Sequence, residues 1–125
     1  NTVSSFEMAR RYIANPNKNY MVINSAEYGE FFTKLVMFHQ LKSVYGWNVF
    51  TRLHKEFRKK PMIYDPKITD ADKANQFVYM MCYVTRNDLV PFFRKWGLNI
   101  DAATTQRIAA MRLPLPKTDP STIFR

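Results

Sequence analysis

The segment from Phe31 to Phe50, FFTKLVMFHQLKSVYGWNVF, constrains the fold more than any other part of the chain. Apolar side chains recur along it at steps of three and four residues, which is the signature of an amphipathic helix. Gly46 interrupts the pattern, and Trp47 starts a second helical run at once. Since glycine takes the left-handed conformation that commonly ends a helix, the segment predicts a helical hairpin with a large apolar seam. The predicted stripe of the first helix is Tyr28, Phe31, Leu35, Phe38, Leu41 and Tyr45.

A second aromatic–glycine pair marks the far end of the same core. Trp96-Gly97 repeats the pairing of a bulky aromatic with a helix-ending glycine that Gly46-Trp47 introduces. We therefore expect Trp47 and Trp96 to be buried in one core, with the two glycines as structural landmarks. Replacing either tryptophan with alanine would then cost about 3–5 kcal/mol. The second helix of the hairpin is predicted to bury four residues: Trp47, Phe50, Leu53 and Phe57.

Start and stop signals predict further helices on both sides of the hairpin. Ser4 with Glu7, and Thr69 with Asp72, have the spacing of capping boxes, in which side chains satisfy free backbone N–H groups. The chain as a whole predicts an all-α fold, a compact bundle of five to six helices with short connections. We divide it into residues 1–24 as an N-terminal helix and join, 25–116 as the helical bundle, and 117–125 as a polar, loose tail in which Ile123 and Phe124 could dock.

Composition agrees with a single helical domain. A chain of 125 residues that is 46% hydrophobic can bury one core, and three glycines are few for an all-β fold. The single cysteine, Cys82, excludes an internal disulfide and is predicted to be a buried, inert thiol. No apolar run is long enough to span a bilayer. Because the chain starts at Asn1 without a methionine or a signal peptide, we expect a processed piece or a part of a larger protein.

The charge is strongly positive. Lysines and arginines number 19 against 10 acidic residues, a net charge of +9, which favours acidic partners such as nucleic acid, anionic membrane or polyanionic glycan. The basic residues are dispersed, so solvated helix faces or an acidic neighbouring domain are the favoured interpretation. Arg52, Lys55 and Lys59 share one helix face and are the candidate polyanion contact. Trp47, Phe50 and Phe57 are predicted to face the opposite way, which disfavours nucleic acid as the partner.

The sequence lacks the residue patterns of the common catalytic sites. His-Glu-x-x-His, which places two zinc ligands one helical turn apart with a general base beside them, is absent. His39 and His54 lie fifteen residues apart, and a structural or surface role is favoured for each. His39 has the stronger claim to function, because it lies on the hairpin and could point into a neighbouring cleft. We assign no metal ligand and no catalytic residue to this chain.

Three motifs, in order, resemble the C-terminal helical part of the enhancin-like, mucin-targeting zinc metallopeptidases (peptidase family M-sixty-like). They are LVMFHQL at 35–41, YGWNVF at 45–50 and NDLVPFFRKWGLNI at 87–100, and the resemblance covers about residues 26–115. It implies a gluzincin-type parent with His-Glu-x-x-His and a downstream glutamate, followed by a helical subdomain. It also implies a secreted or cell-surface protein that cleaves mucins or other O-glycosylated proteins. The zinc-binding segment is not among these 125 residues.

The resemblance leads to a first hypothesis and leaves two alternatives. In the first, this chain does not hydrolyse peptides itself but forms one wall of the cleft and supports the zinc-bearing half of the parent. That half, and a mucin-like glycoprotein substrate, are the implied partners, and zinc is the parent's cofactor. His39, Tyr28 and Tyr45 are the candidate cleft-facing residues, with core packing favoured for both tyrosines. The alternatives are a free-standing basic module that binds nucleic acid or anionic glycan, and an interaction module with an exposed apolar patch.

Overall fold

The computed structural model describes residues 5–15, 18–20, 30–59 and 69–124. In these ranges the chain is helical and contains no strand, so the predicted all-α bundle of five to six helices is confirmed. None of the helices described is long and apolar enough to cross a membrane. The elements are α1 (Ser5–Ala14), α2 (Glu30–Tyr45), α3 (Asn48–Lys59), α4 (Asp70–Thr85), α5 (Val90–Lys95), α6 (Ala102–Ala110) and a 3₁₀ turn (Pro120–Thr122).

Local signals place several helix ends as predicted. Thr69 Oγ1 accepts the Asp72 N–H at 3.1 Å, and the Asp72 carboxylate accepts the Thr69 N–H at 3.1 Å, which confirms this capping box. Gly46 and Gly97 have φ angles of +80° and +85°, the left-handed conformation expected where a helix stops. The other predicted capping residue, Ser4, lies outside the described residues.

The core forms where the hairpin meets the elements on either side of it. Helix α1 packs on α2, α3 on α4, and α4 on α6, while the 3₁₀ turn contacts both α2 and α5. This arrangement surrounds Trp96 at the end of α5 with side chains from distant parts of the sequence. The largest fully buried side chains are Trp96, Tyr12, Phe93, Met37, Leu41, Met81, Leu89, Ile108, Gln40, Val49 and Val78.

The buried face of α2 differs from the predicted stripe. Met37, Gln40 and Leu41 are at most 1% exposed, whereas Leu35, which was predicted to lie inward, is 46% exposed. The helix is apolar on nearly all sides, so residue spacing alone does not select the face that packs. Contacts with α1 and with the C-terminal 3₁₀ turn make that choice.

Residues 119–124 of the C-terminal tail pack against the bundle, which corrects the expectation of a loose segment for that part of the tail. Pro120 and Ser121 are buried, and Lys95 Nζ donates to the Asp119 carboxylate at 2.8 Å. Phe124 packs against the core beneath the Arg10 guanidinium, which lies 4.8 Å from the ring centroid. The prediction that Phe124 could dock is confirmed. This short segment takes up a defined position because the bundle provides hydrogen-bond partners for its polar groups and an apolar surface for Phe124.

Candidate functional site

The two tryptophans predicted to share a core lie in opposite environments. Trp96 is fully buried, as expected, but Trp47 is 73% exposed, so the prediction that Trp47 is buried is wrong. Trp47 occupies the turn immediately before α3, which begins at Asn48, so it is not part of the helix itself. Its ring lies against Phe50, 6.4 Å between centroids, and beneath Lys42 Nζ at 5.4 Å. The predicted cost of removing the Trp47 side chain is therefore also too large.

A continuous series of aromatic rings connects this exposed indole to the core. Centroid distances are 6.2 Å from Phe50 to Phe38, 5.8 Å from Phe38 to Phe77 and 5.6 Å from Phe77 to Phe93. Phe50 and Phe38 are half-buried, whereas Phe93 is fully buried. We call Trp47, Phe50, Phe38 and the exposed Leu35 the hairpin apolar surface. Trp47 and Phe50 lie at the tip of the α2–α3 hairpin, and Phe38 and Leu35 lie on α2 about two and three turns further back.

Trp96 is held by groups from three other segments. Its indole N–H donates to Gln40 Oε1 at 2.8 Å, and its carbonyl accepts the Tyr12 hydroxyl proton at 2.6 Å. The Gln40 amide N–H in turn donates to the carbonyl of Ile123 at 2.7 Å. Tyr20 closes the remaining side, with its ring edge toward the indole and a centroid distance of 6.3 Å. Every polar group of this cluster is used internally, so it is a structural lock rather than a reactive site.

The candidate cleft-facing residues take up ordinary packing positions where the structure describes them. His39 is half-buried with its ring 5.3 Å from that of Phe6, edge to face, and its Nε2 lies 3.4 Å from Ser43 Oγ. Tyr45 is half-buried and donates to Asn87 Oδ1 at 2.7 Å, and burial raises the pKa of Tyr45 to about 12. Tyr28 lies outside the described residues. A role of these three side chains in a cleft stays a prediction.

The described residues do not fit the zinc that the family resemblance implies. Among residues 5–15, 18–20, 30–59 and 69–124, no three histidine, cysteine or carboxylate side chains are close enough to hold a metal ion. Cys82 is buried beneath Leu89, whose N–H lies 3.4 Å from the sulfur, and burial raises the pKa of the thiol to about 11. The thiol is therefore protonated near neutral pH, which agrees with the predicted inert cysteine. We derive no metal-dependent step from this chain.

Arg52, Lys55 and Lys59 lie together, as their spacing predicts, and the fold adds groups that the sequence did not single out. They line a hollow of about 300 Å³ against Tyr83 and Arg86 at the C-terminal end of α4. Arg52 donates to the Val84 carbonyl at 3.0 Å. That carbonyl belongs to the last turn of α4, whose carbonyl groups have no N–H donor within the helix. Arg52 therefore both shapes this surface and caps α4.

Neither Gln40 nor Arg86 was predicted from the sequence, and only Gln40 carried a sequence signal that indicated its structural role. Gln40 is a polar residue within the most apolar helical run of the chain, and a buried amide requires partners, so its position alone indicated a buried hydrogen bond. Arg86 gave no such signal. It ends α4 with a left-handed φ of 55° and places its guanidinium 4.6 Å from the centroid of Tyr83.

With this geometry in place, the chain can be assigned to a family. Residues 4–97 match the family described as Peptidase M60, enhancin and enhancin-like, and because the match covers most of the chain, the protein belongs to that family. The matched region contains the hairpin, its exposed Trp47 and the buried Trp96. Family membership therefore agrees with the resemblance found in the sequence motifs.

Relatives of this chain are much longer proteins. TRPM8 channel-associated factor 1 from Pongo abelii is 31% identical over 77 residues, which are 62% of this chain and 8% of that protein. The TRPM8 channel-associated factor homolog from Xenopus laevis is 30% identical over 88 residues, 70% of this chain and 9% of that protein. A crystal structure of a functionally unknown conserved protein from Bacillus anthracis str. Ames superimposes with a TM-score of 0.73 at 32% identity, covering 94% of this chain and 23% of that one.

Proposed function

We propose that this chain is a non-catalytic helical subdomain of a secreted or cell-surface, gluzincin-type zinc metallopeptidase that acts on mucin-like or other O-glycosylated proteins. In this role the bundle forms part of the cleft wall and supports the half of the parent that binds zinc. Membership of the Peptidase M60, enhancin and enhancin-like family over residues 4–97 is the observation that carries the proposal. This chain covers 23% of a related solved chain, which leaves most of that chain for a part that binds zinc.

The hairpin apolar surface supports a docking role for the bundle. An indole that is 73% exposed and a leucine that is 46% exposed on the same hairpin are costly in water and typical of residues that anchor protein interfaces. The Trp47 ring also packs against Phe50, the first ring of the aromatic series that leads to the core. We assign this surface to contact with the zinc-bearing half of the same polypeptide.

The sequence that adjoins this chain in its gene gives the first test. The proposal requires a His-Glu-x-x-His motif upstream of Asn1, with a glutamate ligand further downstream of it. The full-length protein is then expected to cleave an O-glycosylated substrate and to lose that activity on treatment with a zinc chelator, while the 125-residue chain alone cleaves nothing. An adjoining sequence without the motif would contradict a peptidase role for the parent.

Oxidative footprinting tests the docking role separately. In the 125-residue chain, hydroxyl radicals should oxidise Trp47 readily and the buried Trp96 hardly at all. In the full-length protein we expect protection of Trp47 by about fivefold or more, since an interface anchor loses most of its exposure. Trp96, low in both, is the internal control. Equal oxidation of Trp47 in the two forms would show that the surface is not covered by the rest of the chain.

The named relatives favour one second candidate. TRPM8 channel-associated factors are, by their name, associated with a channel, and two of them match this chain at 30–31% identity. An interaction module, in which the hairpin apolar surface docks on a separate partner protein, is therefore the alternative to a peptidase subdomain. It predicts that Trp47 stays exposed in the full-length protein and that the full-length protein has no chelator-sensitive peptidase activity.

A further inference from the structure

A positively charged groove runs between α3 and the C-terminal half of α4. It consists of two adjoining hollows of about 300 and about 190 Å³ that share Glu56, Lys59 and Tyr83. We call it the α3–α4 groove. Residues 52–59 form one wall and residues 79–86 the other, and at 1.5 Å rise per helical residue each wall is about 10 Å long. A groove of this length can hold several neighbouring groups of an extended ligand.

The positive charge of the groove is concentrated in its larger hollow. Arg52, Lys55, Lys59 and Arg86 line it, and Glu56 is the one carboxylate among the lining residues. Glu56 is already neutralised, because Lys59 Nζ lies 3.1 Å from its Oε1. Three cations are therefore left to attract an anionic ligand, Arg52 and Lys55 on α3 and Arg86 facing them on α4, so both walls of the larger hollow offer contacts to neighbouring anionic groups.

Two tyrosines in the walls are partly covered by arginines. The Arg86 guanidinium lies 4.6 Å from the centroid of Tyr83, and the Arg107 guanidinium lies 4.0 Å from that of Tyr79. Proteins that bind single-stranded nucleic acid offer free aromatic faces on which bases stack. Here an arginine already lies over one face of each ring. The guanidinium groups that line the groove are instead those of Arg86, which lies against Tyr83, and Arg52, which donates to the Val84 carbonyl. Guanidinium forks bind tetrahedral oxyanions through paired N–H donors.

We propose that the α3–α4 groove binds a linear sulfated glycan. Lys55 and Arg86 are its main contacts, and Arg52 holds the α3 wall to the α4 wall. Arg52 donates to the Val84 carbonyl, so it is fixed in place and is the least suitable residue to mutate. The proposal is independent of the peptidase role, because it concerns the outer faces of α3 and α4 and requires no zinc.

Fluorescence anisotropy with a labelled heparin octasaccharide tests the proposal on the 125-residue chain. The double variant Lys55→Gln with Arg86→Gln removes two groove cations and should weaken binding by about tenfold or more. The double variant Arg58→Gln with Lys73→Gln removes the same net charge from exposed positions that do not line the groove. It should weaken binding by less than about threefold. Circular dichroism checks that both variants keep the helical content of the parent chain.

Two results would overturn the proposal. Equal losses in the two double variants would mean that the octasaccharide responds to the net charge of +9 and not to the groove. A single-stranded DNA of the same charge that binds as tightly, and loses as much with Lys55→Gln and Arg86→Gln, would assign the groove to nucleic acid. Tighter binding of heparin than DNA, lost selectively in the groove variant and weakened by salt, is the supporting result.

Discussion

The indole N–H of Trp96 donates to the side-chain oxygen of Gln40 at 2.8 Å, and both side chains are fully buried. The two residues lie 56 positions apart, on α5 and α2. The Gln40 amide N–H also donates to the Ile123 carbonyl, so one glutamine joins the hairpin, the end of α5 and the C-terminal tail. A buried amide that satisfies partners on both sides specifies how these elements fit together.

Gln40→Met should therefore destabilise the chain by about 1–3 kcal/mol, because it preserves side-chain volume but leaves the buried Trp96 N–H without an acceptor and the partly buried Ile123 carbonyl without this donor. Urea unfolding followed by circular dichroism measures the loss. The exposed Gln106 is the matched control, and Gln106→Met should change stability by less than about 0.5 kcal/mol. Equal effects of the two substitutions would mean that the buried bond contributes nothing.

The two tryptophans should differ sharply in alanine substitution. Trp96→Ala removes a fully buried indole and should cost about 3–5 kcal/mol, whereas Trp47→Ala removes a mostly exposed one and should cost less than about 1 kcal/mol. Urea unfolding of the two variants beside the parent chain compares them directly. A cost for Trp47→Ala that approaches the cost for Trp96→Ala would contradict the exposed position of Trp47.

The two left-handed glycines provide a second matched pair. Gly46→Ala has open space around the new Cβ, so only backbone strain is expected, about 1–2 kcal/mol. At Gly97 a Cβ would lie 2.8 Å from the Tyr12 hydroxyl oxygen and 3.1 Å from the Lys18 carbonyl oxygen. Gly97→Ala should therefore cost roughly 1–3 kcal/mol more than Gly46→Ala.

Combining Gly97→Ala with Tyr12→Phe separates strain from steric conflict. Removing the Tyr12 hydroxyl relieves the closest contact, so the double variant should be less destabilised than the sum of the two single variants. Thermal or urea unfolding of all four proteins completes the cycle. Strict additivity would show that the Tyr12 hydroxyl does not crowd position 97.

Stability should fall in alkaline solution because the Cys82 thiol and the Tyr45 hydroxyl resist ionisation in the folded chain. Burial raises the pKa of Cys82 from 9.0 to about 11 and that of Tyr45 from 10.0 to about 12. The unfolded chain releases these protons first, so the contribution is complete below pH 9 and is lost as pH rises toward the folded values. For Cys82 the loss should reach about 1–3 kcal/mol. Urea unfolding at several pH values from about 8 to about 11 measures it.

Cys82→Ala isolates the contribution of the thiol to this pH dependence. The variant should lose less stability than the parent chain between pH 9 and 11, even if its stability at neutral pH is lower. The native thiol should also react with a disulfide reagent only on unfolding, since it is fully buried. A pH profile unchanged by Cys82→Ala would mean that the thiol does not contribute to the alkaline loss.

Much of the helical organisation could be predicted from local patterns. The spacing from Phe31 to Phe50, the Thr69–Asp72 capping box and the two glycines indicated helices that the structure contains. Such signals act within one or two turns of chain, so residue identity and spacing are sufficient to read them. The clustering of Arg52, Lys55 and Lys59 was visible for the same reason, because residues three and four apart share a helix face.

Features that depend on which elements meet could not be read in this way. Trp47 and Trp96 have the same kind of local context, an aromatic beside a glycine, yet one is mostly exposed and the other fully buried. Leu35 also fits the apolar stripe of α2 but lies outward. Whether such a side chain is covered depends on the packing of distant segments, and periodicity carries no information about those segments.

The sequence by itself determined that this protein is a helical bundle with a strong positive charge, and its motifs were sufficient to indicate an enhancin-like family. Helix periodicity, capping and net charge are local or additive properties, so they can be read in one dimension. The tertiary structure alone decided that Gln40 meets Trp96, that Arg86 completes the α3–α4 groove, and that Trp47 faces outward. Each of these is set by contacts between residues far apart in the chain, where the burial of one surface excludes the burial of another.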